Sequence, residues 1–456
     1  MYIKNASALI ENGQTKAEKL ARRLSLDAAE AALKAVEPSR LMKSMVRLEG
    51  KEILVGRTRT DLTKFRRVLV IGGGKAALSM ADALESILGD AISDGLVNVP
   101  NSQLRGKRRG RLIKLHGATH PLPSVAGQEG VLEMLELVGE PDRRTLVICL
   151  ISGGGSSLLP LPGQGMQLSD KIEVTKALLR AGATIQELNV VRKHLSAIKG
   201  GRLAQTLYPS KVLSLVISDV VGDRLDSIAS GLLYPDPSTF RDAELVLKKY
   251  AVWETLPARV EEMFRKGLHG DIPETPKPGS KYFARVSNVI IGSNKDACEA
   301  AARQLKLAKC RSTLLTTSYE GEAKSAGMFM GSVVQYAASR QRPRSYVAGG
   351  ETTVAVKGGG RGGRNQEFAL GASMKINGNQ GIALVSLGTD GLDGPTNAAG
   401  ALVDGSTVRR SVGLGLSLEE SLLRNDSYGF FRGLRDLVIT GPTGTNVNDI
   451  AIAVMV

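Results

Sequence analysis

Three short stretches of this chain set glycines and charged or hydroxyl groups side by side. Residues 71–75 read IGGGK, residues 152–157 read SGGGSS, and residues 357–364 read KGGGRGGR. Glycine lets a backbone approach a ligand closely, and ammonium or guanidinium groups beside it match the oxygens of a carboxylate or phosphate. The chemistry on offer is oxyanion binding. Lys75 and Arg364 are the cations singled out, Lys357 and Arg361 share the second cation's loop, and Gly73, Gly74, Ser152, Gly153, Gly154, Gly155 and Ser156 supply backbone and hydroxyl groups. Carboxylates crowd two further points: Asp219, Asp223 and Asp226 follow one apolar run, and Asp390 and Asp393 another. Like charges gathered in a site need a cation or a proton between them, so these clusters suggest magnesium or a general base. Asp219 and Asp390 are the candidates for the base, Asp219 and Asp393 for a metal. For any single aspartate, capping a helix or turn is the simpler role.

Other chemistries fit less well. Residues 72–77 match G-x-G-x-x-A between a strand and a helix, the setting that seats a dinucleotide pyrophosphate. The following strand, GLVNV at 95–99, leads into Pro100 and Asn101 where an acid should meet the ribose, and a nicotinamide fingerprint has no role for Lys75. A P-loop would need glycine at position 69 and a hydroxyl at 76, where Leu69 and Ala76 stand. There is no G-x-S-x-G elbow, and the four histidines (His116, His120, His194, His269) lie in no triad context. His194, preceded by Arg192 and Lys193, reads as part of a polar helix face.

The elements that must hold these residues alternate along the chain. Apolar positions at three- and four-residue spacing predict a helix over residues 15–45. RRVLVI at 66–71 reads as a strand feeding the first glycine loop, with helix to about residue 88; TLVICLI at 145–151 feeds the second, with helix beyond 169; VLSLVIS at 212–218 ends at Asp219. Parallel α/β sheets bind ligands at the carboxyl ends of their strands, where all three runs stop in Gly, Ser, Lys or Asp. The proline-rich DIPETPKPGS at 271–280 reads as a linker, dividing the chain into domains 1–275 and 281–456. Beyond it, strands are expected at 286–291, 312–316, 352–356, 382–387 and 437–440, helices at 295–305 and 323–338, a helix cap at 425–426, and a loop at 441–448.

Composition agrees with such an organisation. A chain of 456 residues exceeds one core, and 42% apolar with 23% charged residues supports a packed interior. The net charge of +15 raises the question of nucleic acid, but the charges are dispersed. The two basic runs, RGKRRGR at 105–111 and RQRPR at 340–344, carry no aromatics on which bases could stack. A solvated basic surface or a small anionic substrate is expected, with no nucleic-acid partner. No apolar run approaches the roughly 18 residues of a membrane span, and no secretory signal is seen. Cys149, Cys298 and Cys310 suit neither a disulfide framework nor zinc, so a cytoplasmic location is expected.

Taken in order, several blocks resemble the glycerate 2-kinase family, whose C-terminal part is the MOFRL domain. They are IGGGK (71–75), HPLP (120–123), ISGGGSS (151–157), NVVRKHLS (189–196), SDVVGD (218–223), IASG (228–231), PDP (235–237), GGETT (349–353), GRGGRNQE (360–367), GTDGLDG (388–394) and GPTGTNVND (441–449). The chain departs from the pattern at Leu232 and Leu233, where the family usually has Pro-Thr, and over its first sixty residues. The resemblance implies two α/β domains, the first a Rossmann-like parallel sheet and the second a smaller MOFRL-type domain, with the active site in a cleft between them that closes on substrate. It implies ATP-dependent phosphorylation of D-glycerate at its 2-hydroxyl, with Mg²⁺ or another divalent cation, and active-site roles for Lys75 and Arg364. Glu351, Asn365, Glu367, Thr443, Thr445 and Asn446 join the loop residues above as candidates for binding substrate or ATP. The runner-up is an NAD(P)H-dependent hydroxypyruvate reductase, a label members of this family have carried. Monomer and homodimer are both compatible.

Overall fold

The computed structural model describes residues 1–104, 112–338 and 343–456. The basic run at 105–111, and residues 340–342 of the run at 340–344, lie outside the described residues. Two compact units emerge, Leu41–Ile291 and a second composed of Met1–Arg40 with Gly292–Val456.

The first unit opens with an antiparallel meander, β1 (Val46–Glu49), β2 (Glu52–Val55) and β3 (Thr58–Asp61). Its main sheet comprises β4 (Arg67–Gly73), β5 (Asp94–Pro100), β6 (Ile113–Ala118), β7 (Thr145–Ile151), β8 (Lys211–Ile217) and β9 (Val286–Gly292), in the order β6-β5-β4-β7-β8-β9. The pairs β6–β5, β5–β4, β4–β7 and β7–β8 are parallel. β7 is buried along its whole length, which is why its sequence is a continuous apolar run rather than an alternating one. The chain moves outward from β4 to β6, then returns to add β7 and β8 on the other side. The switch point of the sheet therefore lies between β4 and β7, the place where such sheets bind ligands beyond the strand ends. IGGGK leaves β4 and SGGGSS leaves β7 at that point.

The second unit carries β10 (Arg311–Tyr319), β11 (Arg344–Gly350), β12 (Ile382–Gly388), β13 (Gly400–Asp404), β14 (Leu437–Val438) and β15 (Asp449–Met455), in the order β10-β11-β15-β12-β13-β14. Only β10–β11 is parallel among its pairs; β15 runs antiparallel to both its neighbours. The α/β class thus holds for both units, with a parallel sheet in one and a mixed sheet in the other.

The N-terminal residues belong to this second unit, not to the first as the division at 275 supposed. A buried ion network holds them there. Arg22, on the helix Lys16–Ala35, is fully buried and paired with Asp404 and, at 2.8 Å, with Asp436, both also fully buried. Lys4 N–H donates to the Ile439 carbonyl at 2.8 Å, and Asn5 bridges Leu437 and Ile439. The proline-rich segment 271–280 is irregular but does not divide the units. Thr275 donates to Asp236 at 3.0 Å, and the Pro276 carbonyl accepts the Asp236 N–H, so it is pinned within the first unit. The helix expected over 15–45 breaks before Pro38 into Lys16–Ala35 and Pro38–Met45, because a residue preceding proline is driven out of the helical region. TTVAV at 352–356 is not a strand. It makes one isolated bridge, Glu322 with Thr353, because β11 ends at Gly350 and no ladder continues beside it.

The buried network gives a direct expectation. Arg22→Met leaves Asp404 and Asp436 buried with one cation fewer, and should lower unfolding free energy by about 3–5 kcal/mol. Urea denaturation of the full chain checks this; an unchanged midpoint would show that the network does not hold the N-terminal helix.

Candidate active site

In the first unit the glycine loops beyond β4 and β7 are stacked backbone on backbone. Lys75 N–H donates to the Gly153 carbonyl at 2.8 Å, and Ala76 N–H to Ser152 Oγ at 3.0 Å. Gly74, at φ 152°, passes so close to Ser152 that a Cβ would overlap its hydroxyl. Ser152 is thus a tie between the loops. Three polar side chains converge on Gly153 and Gly154. A Cβ on Gly153 would stand 2.5 Å from Asp219 Oδ2; one on Gly154, at φ 79°, would stand 2.8 Å from the His120 ring and 3.3 Å from Lys75 Cγ. Burial pushes the Asp219 carboxyl above its usual range, against the pull of Lys75 and of the backbone N–H groups of Asp219 and Gly154.

The structure revises how the second loop was expected to work. Gly154 N–H goes to Asp219 and Gly155 N–H to the Ser152 carbonyl at 3.1 Å, so the run of free backbone donors is shorter than the sequence suggested. Ser156 Oγ lies 2.7 Å from Ser230 Oγ, which in turn donates to Asn189 at 3.2 Å. The three aspartates after β8 do not gather: Asp226 pairs with Arg224 at 2.9 Å. His194 is not on a polar face but buried, with Nε2 3.2 Å from Glu274 and its ring edge-on to Phe240. Leu232 and Leu233, where the chain departs from the family pattern, are core residues.

In the second unit the ends of β11, β12 and β15 bring together Glu351, Asp390, Asp449 and Arg364. Arg364 begins the helix Arg364–Ile376 and grips Asp449 with a two-pronged contact, Nε at 2.6 Å and Nη2 at 3.0 Å, while Nη1 reaches Glu351 at 2.9 Å. These contacts engage three of its five N–H groups and leave the side chain 32% exposed. Burial pushes the Asp449 carboxyl up, and Arg364 opposes it. Asp390 Oδ1 accepts the Leu392 N–H at 3.1 Å beside this pair.

Asp393 stands differently from the metal ligand expected. Its two oxygens accept the backbone N–H groups of Asn365 at 3.0 Å and Gln366 at 2.9 Å, capping the helix that carries Arg364. Burial pushes its carboxyl up to about 6 despite those donors. Asn365 also accepts from Ser386 at 2.8 Å, and Glu367, buried, accepts from Asn425 at 2.9 Å. Asn425 in turn accepts the N–H groups of Lys357 and Gly358, so Glu367 positions the glycine-rich loop from beneath. Gly358, Gly360, Gly362 and Gly363 of that loop are required by the protein's own packing, a Cβ on Gly360 standing 2.5 Å from Asp426 Cβ, whereas Gly359 has open space. Arg361 lies over the Tyr428 ring, 5.0 Å from its centroid. In the loop at 441–448, Thr443 donates to the Thr389 carbonyl at 2.6 Å, Asn446 Oδ1 accepts the Asn448 N–H at 3.1 Å, and Thr445 Oγ1 is buried without a hydrogen-bond partner.

Two residues of these clusters were not singled out from sequence, His120 and Asp449. Both sit inside quoted blocks, HPLP and GPTGTNVND. Among the described residues no group of three or more His, Cys, Asp or Glu is arranged to hold a metal ion, and no helix is long and apolar enough to cross a membrane.

Residues 24–265 match a family described as a domain of unknown function (DUF4147), and residues 344–449 match the MOFRL family. The chain is 41% identical over 439 residues to the glycerate 2-kinase of Pyrococcus horikoshii, covering 95% of this chain and 97% of that one. The solved structure of a glycerate kinase from Thermotoga maritima, 39% identical, superposes with a TM-score of 0.83 over 95% of this chain and 99% of that one. A protein of Agrobacterium vitis named a putative hydroxypyruvate reductase is 40% identical over 390 residues, 84% of this chain and 98% of its own length. Nearly full-length likeness to proteins named glycerate kinase, joined to both family matches and to the ordered sequence blocks, places this chain in the glycerate 2-kinase family.

Proposed function

We propose that this chain transfers the γ-phosphoryl group of ATP to the 2-hydroxyl of D-glycerate, giving 2-phosphoglycerate and ADP. The observation that carries the reading is the meeting of Lys75 and Asp219 at Gly153 and Gly154, beyond the switch point of a parallel sheet. Phosphoryl transfer asks a protein for positioning and charge stabilisation more than for covalent chemistry, and a cation beside a carboxylate supplies both. Asp219 accepts the proton of the 2-hydroxyl as its oxygen bonds to the γ-phosphorus, and the bond to the β–γ bridging oxygen breaks. Lys75 holds the charge that spreads over the transferring group. Arg364 clamps an oxyanion of the same reaction with its two remaining N–H groups. The residues at 152–157 and Thr443, Thr445 and Asn446 cradle substrate and nucleotide.

Mg²⁺ suits this donor set without a protein cage, since it is commonly held by one or two carboxylates together with phosphate oxygens. Asp219 or Asp390 would supply that carboxylate, since the oxygens of Asp393 are taken up in capping a helix. When bound, the ion would neutralise phosphate charge. The reductase reading lacks its ribose partner. β5 ends at Pro100 and leads into Asn101, with no acid there, and Asn98 within it is fully buried, donating to the carbonyls of Gly127 at 2.8 Å and Leu158 at 2.7 Å. Two assays separate the readings. ADP release from ATP should depend on D-glycerate, and hydroxypyruvate should not oxidise NADH or NADPH. Nicotinamide oxidation without glycerate-dependent ADP release would overturn the proposal.

A further inference from the structure

Beneath the loop at 152–157 lies a group of cations that the phosphoryl-transfer reading leaves unused. Lys171, Arg192 and Lys199 come from three places in the first unit: the helix Leu168–Arg180, the helix Ile185–His194 and the turn before the helix Arg202–Leu207. Lys171 is 8% exposed and Lys199 only 2%, while Arg192 is the partly exposed member. Lys171 and Lys199 are linked through shared oxygens, Lys199 by its backbone N–H, and Arg192 lies on the helix that ends two residues before Ser196. Lys171 Nζ donates to the Leu161 carbonyl at 3.3 Å, the same carbonyl accepts Ser196 Oγ at 3.0 Å, and Ser196 Oγ accepts the Lys199 N–H at 3.3 Å. Lys199 Nζ donates to the Ala229 carbonyl at 3.4 Å. A Cβ on Gly155 would stand 3.0 Å from Ala229 Cβ, and Ser156 touches Ser230, so the group adjoins the glycine loop directly.

What distinguishes these three is their company. Lys193, buried on the same helix as Arg192, is paired with Asp236 at 3.2 Å. Among the described residues, Lys171, Arg192 and Lys199 have no carboxylate within ion-pair distance. Burial, with repulsion from Arg192, pushes Lys171 down to about 7, and burial with repulsion from Lys171 and Arg192 pushes Lys199 well below its ordinary value. Burying like charges without a counter-ion is costly, so such a group is retained where an anion arrives to pair with it.

We propose that Lys171, Arg192 and Lys199 form an oxyanion subsite that takes a phosphate group, set beside the loop at 152–157. Three cations exceed what a single carboxylate would balance, which favours a phosphate of the donor nucleotide or of the phosphate-ester product. The inference rests on the phosphoryl-transfer reading for the identity of that group, not for the existence of the subsite.

The test uses the full chain, calorimetric titration with inorganic phosphate, ADP, 2-phosphoglycerate and D-glycerate, and the variants Lys199→Met and Arg192→Gln. Phosphate affinity should fall at least about tenfold in both variants, as expected for losing a charged contact. The thermal midpoint of ligand-free Lys199→Met should hold or rise, because a buried amine without an ionic partner has been replaced by an apolar side chain of similar length. Matching loss for ADP assigns the subsite to the donor, and matching loss for 2-phosphoglycerate assigns it to the product. Wild-type affinity for phosphate, ADP and 2-phosphoglycerate in both variants overturns the proposal, as does a loss confined to D-glycerate. Turnover of D-glycerate with ATP, measured alongside, keeps the two readings apart. Lys199-dependent phosphate binding without turnover supports the subsite and sinks the kinase reading; turnover with unaltered binding in the variants does the reverse.

Discussion

Lys75→Ala should cut glycerate-dependent ADP release about a thousandfold, the effect of removing roughly 4 kcal/mol of transition-state stabilisation, while the protein stays folded. The backbone explains why folding survives. Lys75 is held by its own N–H on the Gly153 carbonyl, a bond that alanine keeps, and the neighbouring Ala76 N–H stays on Ser152. What disappears is the charge beside Gly154. The pH profile provides a second reading of the same variant. Burial raises Asp219 and Lys75 pulls it back down, so deleting the ammonium lets the carboxyl rise further. Asp219 then stays protonated to higher pH, and the acidic limb of any residual activity should move upward. Near wild-type turnover in folded Lys75→Ala, with an unmoved limb, would remove both residues from the site.

The strand ends that carry the first unit's candidate site were legible in the sequence because local signals agreed there. β4, β7 and β8 are parallel, interior strands, so each reads as an unbroken apolar run, and each stops at the residues that face the switch point. The second unit was less legible. β15, its central strand, reads DIAIAVM, a run of small and branched residues that closely follows a loop block and has no turn signal of its own. TTVAV has β-favouring residues but no neighbouring strand, and pairing decides. The placement of residues 1–40 depends on Arg22 meeting Asp404 and Asp436, contacts spanning 382 and 414 positions that no local pattern announces. The same limit applied to the site. Arg364 was visible through its glycine setting, whereas Asp449, its partner, is one aspartate in a loop block until β15 places it beside the helix. Asp393 shows the opposite error. An acidic pair suggested a metal, and the simpler role of aspartate as a helix cap is the one its oxygens fulfil.

Arg364 carries the other large expectation, and here the choice of substitution decides what is learned. Arg364→Ala should abolish measurable turnover, a loss of about a thousandfold or more, by analogy with the worth of arginines that stabilise phosphoryl-transfer charge. It also leaves Asp449, whose side chain is 1% exposed, buried without its cation, a defect worth about 3–5 kcal/mol of stability. Lost activity in that variant would therefore confound a missing contact with a damaged fold. Arg364→Lys removes the ambiguity. Lysine keeps a positive charge near Asp449, so the unfolding midpoint should stay close to wild type. It cannot keep the geometry, because one ammonium has no planar fork with which to grip Asp449 and Glu351 while presenting two further N–H groups to an oxyanion. Turnover should therefore still fall by about a hundredfold, the worth of one or two charge-assisted hydrogen bonds. If Arg364→Lys is as active as wild type, the fork serves only to satisfy Asp449, and Arg364 is a structural partner of β15 rather than a residue that meets substrate.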